Sequence, residues 1–226
     1  MQELIAGALI GAHRLIDGHP GIHRSLIALV NRSVGEKRVR KSIIKLTKPG
    51  DVVWDVGANV GVYSRLCLEL VGPAGHVVAI DPVPSNAVRL RALAPSDHLT
   101  VVEAALFSSD GLKPLVISGR DGETSSIIES PDAVTVRVAR GDTLMTEGVP
   151  SPQIIKIDVE GFEGDVLDGM PEVLSGVRSL ILEVHFAALA RQGRPREPLR
   201  LVRLLSRSGL AVRWIDSSHL VATRGA

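Results

Sequence analysis

The chain reads as an α/β protein: a mostly parallel sheet with helices on both faces, closed at its C-terminal end by an antiparallel hairpin. Three observations carry that reading. Residues 52–56, Val-Val-Trp-Asp-Val, are β-branched or aromatic apart from one carboxylate, the composition of a strand buried on both faces. A turn bearing Gly57 and Gly61 joins them to an apolar pattern of helical period. Strand-like and helix-like segments then alternate along the chain, which specifies parallel strands joined by crossover helices.

The elements follow in order. Leu4, Ile5, Ala8, Leu9, Ala12, Leu15 and Ile16 recur at helical spacing, while His13, Arg14 and Asp17 interrupt any run long enough to span a bilayer. No basic segment precedes them, so they make a poor signal peptide, and a cytoplasmic location follows by default. Residues 1–46 are expected to form a helical extension that packs on the main domain, 47–226, or on a second copy of the chain. Lys48-Pro49-Gly50 turns the chain into the strand 52–56. A helix over 60–70, a strand over 76–80, a helix over 84–94 and a strand over 99–106 come next. Residues 112–118 and 134–140 read as an inserted pair of short strands linked by a flexible stretch, 119–131. The pattern resumes with a strand over 153–159, a helix over 162–174, a strand over 179–186 and a helix over 198–206. Residues 211–216 and 218–224 form the closing hairpin.

Composition excludes several classes of function. With 226 residues, 45% of them hydrophobic, the chain can bury a sizeable core. Twenty-six basic residues against 25 acidic ones leave a net charge of +1, so no global field recruits nucleic acid or an anionic membrane. Basic runs at 37–41 and 191–203 read as solvated surface, and 3% aromatic residues leave little with which to stack bases. The single Cys67 rules out an internal disulfide and a multi-cysteine metal site.

The chemistry concentrates where the strands end. Gly57 and Gly61 let the chain turn tightly and are expected to bring backbone N–H groups against a ligand at the start of the next helix. Asp81 follows Gly61 by about 20 residues, the spacing at which a carboxylate ending the second strand accepts bonds from ribose hydroxyls. A dinucleotide fingerprint needs a second glycine where Asn59 stands, and Asp55 adds negative charge beside the place of a diphosphate. Both favour the ammonium and sulfonium of S-adenosylmethionine (SAM) over NAD(P).

Alternation puts Lys156 and Asp158 on one face of their strand, with Glu160 running into the Gly161 turn. Glu183 and His185 share a face of the next strand, so Asp158 and His185 should meet in one pocket. A buried Lys156 would need Asp158 or Glu183 as partner. An imidazole with a pKa near 6.5 suits proton removal at neutral pH. Structural roles also exist: Asp158 as a helix cap, Glu160 beside a helix N-terminus, His185 as a hydrogen-bonded strand end. Asp158, Glu160 and His185 could alternatively hold a divalent cation, ranked below metal-free catalysis because no compact ligand motif fixes a site.

Five ordered blocks carry a resemblance: Asp55-Val-Gly-Ala-Asn-Val-Gly-Val-Tyr-Ser64, Asp81-Pro-Val-Pro84, Glu103-Ala-Ala-Leu-Phe-Ser-Ser-Asp-Gly111, Ile155-Lys-Ile-Asp-Val-Glu-Gly-Phe-Glu163 and Leu182-Glu-Val-His185. Together, over residues 47–186, the chain resembles the FkbM-type SAM-dependent methyltransferases. The resemblance implies a Rossmann-like class I methyltransferase fold and methylation of a hydroxyl on a sugar, glycolipid or other natural-product scaffold. It places Asp55, Gly57, Asn59, Gly61 and Asp81 around the methionine and ribose, Tyr63 and Ser64 in the same motif, and Glu103, Ala104 and Ala105 near adenine. Asp158, His185 and Lys156 are the candidate catalytic set, with Asp158 also reaching the SAM amino group. In one departure, Asp81 stands where this family more often carries glutamate. The rival readings are an NAD(P)-dependent oxidoreductase and a SAM-binding regulatory protein without turnover.

Overall fold

The computed structural model describes residues 1–17, 23–94, 97–118, 124–126 and 133–225. Two helices, α1 (Gln2–Asp17) and α2 (His23–Leu46), lead into β1 (Val52–Val56), α3 (Val62–Val71), β2 (His76–Ile80), α4 (Pro84–Arg91) and β3 (Leu99–Val102). The chain then runs through β4 (Ala105–Leu106), β5 (Gly111–Ser118), β6 (Thr124–Ser126), β7 (Val134–Ala139) and α5 (Gly141–Thr146). β8 (Ile154–Ile157), α6 (Glu163–Asp168), α7 (Pro171–Gly176) and β9 (Ser179–Glu183) follow. α8 (Phe186–Arg191), α9 (Glu197–Arg207), β10 (Leu210–Trp214) and β11 (His219–Arg224) complete it.

The main sheet has seven strands in the order β10-β11-β9-β8-β1-β2-β3. The run from β9 to β3 is parallel throughout, and β11 joins β9 antiparallel to start the terminal hairpin. Chain order reverses between β1 and β8, which sit side by side with Asp55 opposite Lys156. That pairing makes a topological switch point, the place where an open α/β sheet leaves a crevice beyond its carboxyl ends. Both central strands are buried on both faces: Val53, Trp54, Val56, Ile154, Ile155 and Ile157 are at most 1% exposed. The Trp54 indole N–H, which would be costly to bury unpaired, donates to Pro150 O at 2.8 Å.

Three elements differ from the sequence expectation. The strand expected over 99–106 leaves the main sheet after Val102, and Ala105–Leu106 pairs instead with β7 in a second sheet of order β4-β7-β5-β6. Alternation within a strand does not say which sheet its end will join. The helix expected over 162–174 is two helices, because Pro171 starts α7 and Gly169 lies against the backbone of Phe107, where a Cβ would meet the carbonyl oxygen at 2.0 Å. The strand expected to reach 186 stops at Glu183, and His185 stands at the N-cap position of α8 without a side-chain capping bond.

On α1 the face packed against the core is Ala6, Leu9 and Ile10, whereas Leu4 is 79% exposed. His13, on the same inward side, stacks on Phe186 with ring centroids 4.4 Å apart. Most of the linker 119–131, including Glu123, lies outside the described residues; within it Thr124–Ser126 pairs antiparallel with β5. No helix among the described residues is long and apolar enough to cross a membrane.

Candidate active site at the carboxyl ends of the central strands

β1 ends in the glycine turn and β8 ends one residue before Asp158, so the switch point brings these two segments into contact. Gly57 has φ 72°, and a Cβ there would lie 1.8 Å from Asp158 O. Only glycine allows the two strand ends to approach so closely. The two glycines do not offer free N–H groups: Gly57 N–H donates to Ile80 O (2.9 Å) and Gly61 N–H to Ala58 O (2.9 Å). Their contribution is shape and close approach.

Asp81 is held by the same turn. Its Oδ2 accepts the Asn59 N–H at 2.8 Å, while Oδ1 accepts Val83 N–H at 2.9 Å and Asn86 Nδ2 at 3.1 Å. Asn59 sits at φ 49°, a conformation asparagine tolerates better than most side chains. Its buried Oδ1 has no hydrogen-bond partner among the described residues. Burial pushes the Asp81 carboxyl above the usual carboxylate range, against the pull of its three donors.

Beneath the turn lies a buried charge pair. Asp55 is wholly buried, accepts Ser64 Oγ–H at 2.6 Å and faces Lys156 Nζ at 3.3 Å. Lys156 also lies 3.5 Å from Asp158 Oδ2, donates to Gly57 O at 3.2 Å and sits 5.1 Å from the Tyr63 ring centroid. Burial opposes its charge, but Asp55 and Asp158 outweigh that and raise its pKa. Asp55 is thus the partner that alternation along one strand could not name, because it comes from the neighbouring strand. Its charge, counted above as acting on the cofactor, is met inside the chain by Lys156 and Ser64. Lys156 is buried among these partners. Burial, first among its influences, pushes the Tyr63 phenol up to about 12.

The residues expected near adenine follow the carboxyl end of β3. Glu103 is half exposed and pairs with Arg91 at 3.2 Å, Ala104 is buried in the core, and Ala105 opens β4.

Asp158 and His185 do meet, with His185 Nε2 3.5 Å from Asp158 Oδ1. Nε2 also lies 3.6 Å from Glu160 Oε2 and 3.9 Å from Glu183 Oε1. The ring is aimed by Glu163, a wholly buried residue whose Oε1 takes Nδ1 at 2.6 Å together with the Gly161 and His185 backbone N–H groups. Burial disfavours charge on this imidazole, but the Glu163 hydrogen bond and the surrounding carboxylates outweigh it and lift the pKa to about 10. The ordinary value near 6.5 therefore does not apply here, and a ring that holds its proton at neutral pH is not a ready base. Glu160, at φ 52°, has its carboxyl raised, chiefly by burial.

Sequence reasoning missed Glu163 as the residue orienting His185, and it missed His219. His219 stands opposite Glu183 in the β9–β11 register and reaches Glu183 Oε2 at 3.1 Å and Asp216 Oδ1 at 2.9 Å. Counting back along the antiparallel hairpin was the available signal for the Glu183–His219 pair.

A family model, the methyltransferase FkbM domain, matches residues 55–210. The hexuronic acid methyltransferase AglP of Haloferax volcanii is 29% identical over 180 residues, covering 78% of this chain and 70% of that protein. The 2-O-methyltransferase NoeI of Sinorhizobium fredii is 27% identical over 175 residues, covering 68% of this chain and 72% of that protein. In fold, the chain is similar to an rRNA methylase from Streptococcus thermophilus, with a TM-score of 0.51 at 9% identity over 83% of this chain and 95% of that one. A sheet of class I methyltransferase order, a switch-point cleft and a family match spanning most of the domain agree: the chain belongs to the FkbM methyltransferase family.

Proposed function

We propose that this protein transfers a methyl group from SAM to a hydroxyl oxygen of a sugar, glycolipid or related natural product. The observation that carries the reading is the contact of Asp158 and His185 at the carboxyl end of β8, directly against the Gly57 turn. The printed names of the relatives, a hexuronic acid methyltransferase and a 2-O-methyltransferase, support a sugar acceptor. The donor set fits SAM. Asn59 Oδ1 is a buried acceptor without a partner, suited to an ammonium or hydroxyl, and Asp81 keeps unused lone-pair capacity beyond its three donors. The glycine turn admits a nucleoside, but the N–H groups of Gly57, Ala58, Asn59 and Gly61 are spent within the chain, which disfavours a pyrophosphate.

When bound, SAM supplies an electrophilic methyl on a cationic sulfur, open to in-line displacement. The chain has to align an acceptor and remove its proton. Asp158 and His185 bind and orient the hydroxyl, and Glu160 takes its proton, since its raised pKa and its place 3.6 Å from His185 Nε2 suit that task. His185, charged and fixed by Glu163, holds the carboxylates in place. Lys156 keeps Asp55 and Asp158 in register below. A homo-oligomer built through α1 would use outward residues such as Leu4, because Ala6 and His13 are engaged within the chain.

Calorimetric titration with SAM, S-adenosylhomocysteine and NAD tests the donor. The reading expects the first two to bind and NAD not to. Binding of NAD alone would point to the oxidoreductase class instead.

A further inference from the structure

We propose that Asp158, Glu183 and His185 form a divalent-cation site at the acceptor end of the cleft, resting on the reading of this cleft as the place of methyl transfer. Ligand atoms of these three residues all lie within 4.8 Å of one another. Three points so spaced have a common centre no more than about 2.8 Å from each, close to the roughly 2.0–2.6 Å of metal–ligand bonds. The side chains are already gathered and need only small shifts to close on an ion.

The imidazole is prepared for this role from behind. Glu163, wholly buried, accepts Nδ1 at 2.6 Å and so turns Nε2 toward Asp158, Glu160 and Glu183, the arrangement in which a carboxylate orients a metal-ligating histidine. Glu163 Oε2 has no hydrogen-bond partner among the described residues, and the buried carboxylate behind the ring keeps the proton on Nδ1 while Nε2 gives up its own proton to solvent as it takes the ion. In front, three carboxylates face Nε2. Lys156 is shared between Asp55 and Asp158, and His219 between Glu183 and Asp216. The negative charge gathered around His185 exceeds what these side chains balance, and a dication would correct it.

One nitrogen with two carboxylate oxygens suits a first-row ion such as Mn²⁺ better than Mg²⁺, which prefers oxygen alone. Asp158 can serve both needs, with Oδ1 toward the ion and Oδ2 toward Lys156. A hydroxyl placed on the open side of such an ion loses its proton more readily, and Glu160 stands beside it to accept that proton. This reverses the preference for metal-free catalysis drawn from the sequence. Asp158 and the Glu183–His185 pair are distant in the chain, and folding supplies the compact ligand set that the sequence lacks.

The test is Mn²⁺ titration followed by electron paramagnetic resonance of the free ion, with and without S-adenosylhomocysteine, beside calorimetry of SAM. Wild-type protein should bind one Mn²⁺ per chain. Glu183→Gln should weaken Mn²⁺ by at least about tenfold while leaving SAM affinity unchanged, and Glu163→Gln should cost about 10- to 100-fold through loss of orientation. Thermal melts report whether each variant folds, and Asp158→Asn replaces any that does not. Failure to bind Mn²⁺ at millimolar concentration in protein that still binds SAM would overturn the cation site and leave the methyltransferase reading standing. Wild-type Mn²⁺ affinity in folded Glu183→Gln would overturn it equally. One Mn²⁺ bound as described in protein that does not bind SAM would sustain the site and remove the donor assignment.

Discussion

Lys156 is buried between two carboxylates at the candidate site, where its proposed part is to hold them in place. Lys156 is 5% exposed and answers Asp55, which is not exposed at all. Lys156→Ala should therefore cost about 3–5 kcal/mol in urea denaturation, since it strands a buried carboxylate, and Asp55→Asn in the same chain should recover part of the loss. Wild-type stability with abolished turnover would instead make Lys156 a catalytic group. Asp81 carries two duties at once. Asp81→Ala should weaken SAM by about 2–3 kcal/mol, read by calorimetry, and because three donors lose their acceptor it should also lower folding stability by about 1–3 kcal/mol. Unaltered SAM affinity would remove Asp81 from the donor site. At this scale the sequence was legible where a residue's place follows from its own strand, as for Lys156 beside Asp158. It was not legible where the partner comes from another element: Asp55 for Lys156, Glu163 for His185. Ser64, expected at the cofactor, is instead bonded to Asp55 in the interior.

Elements were legible in proportion to their hydrophobic pattern. The strands at 52–56 and 76–80 start and stop at the expected residues, because runs that are apolar but for Asp55 and His76, set between turn residues, leave little choice of ends. The helix expected across 162–174 breaks at Pro171, a local signal, and beside a contact that no local pattern contains, the approach of Gly169 to Phe107. Gly169→Ala should accordingly destabilise the protein by about 2 kcal/mol or more despite alanine's better helix propensity, since the added Cβ collides with backbone. A stabilising effect in thermal melts would mean the two helices can merge. The turn between β10 and β11 gives a pH-dependent counterpart. Burial pushes the Asp216 carboxyl up, but the His219 side chain and the Ser218 and His219 N–H groups outweigh it and hold the pKa at about 2, below the ordinary 3.8. A depressed folded-state pKa contributes stability that is present above pH 3.8 and lost as pH falls toward 2. Asp216→Asn should flatten the acid limb of the stability curve in that window, and an unchanged limb would contradict the assignment.

Across the whole molecule, sheet order decides function more than any single motif. By placing β8 beside β1, the crossover sets Asp158 against the glycine turn, and β9 then delivers Glu183 and His185 to the same crevice. The N-terminal helices close over this side: α1 lays His13 on Phe186, next to His185, and Gly35 of α2 lies beside His219, where a Cβ would meet the ring at 2.9 Å. An apolar period alone predicted a helix at the N-terminus, but not which face would turn inward. The central claim is oxygen-directed methyl transfer from SAM by the Asp158–His185 cluster. It is tested most directly by following label from methyl-labelled SAM into a hexuronate-bearing glycan, with wild type beside His185→Gln and Asp158→Asn. The account predicts label on a hydroxyl oxygen with wild type, and turnover lower by about two to four orders of magnitude in each variant, with His185→Gln still binding SAM. Label on nitrogen or carbon, or near-normal turnover in His185→Gln, would contradict it.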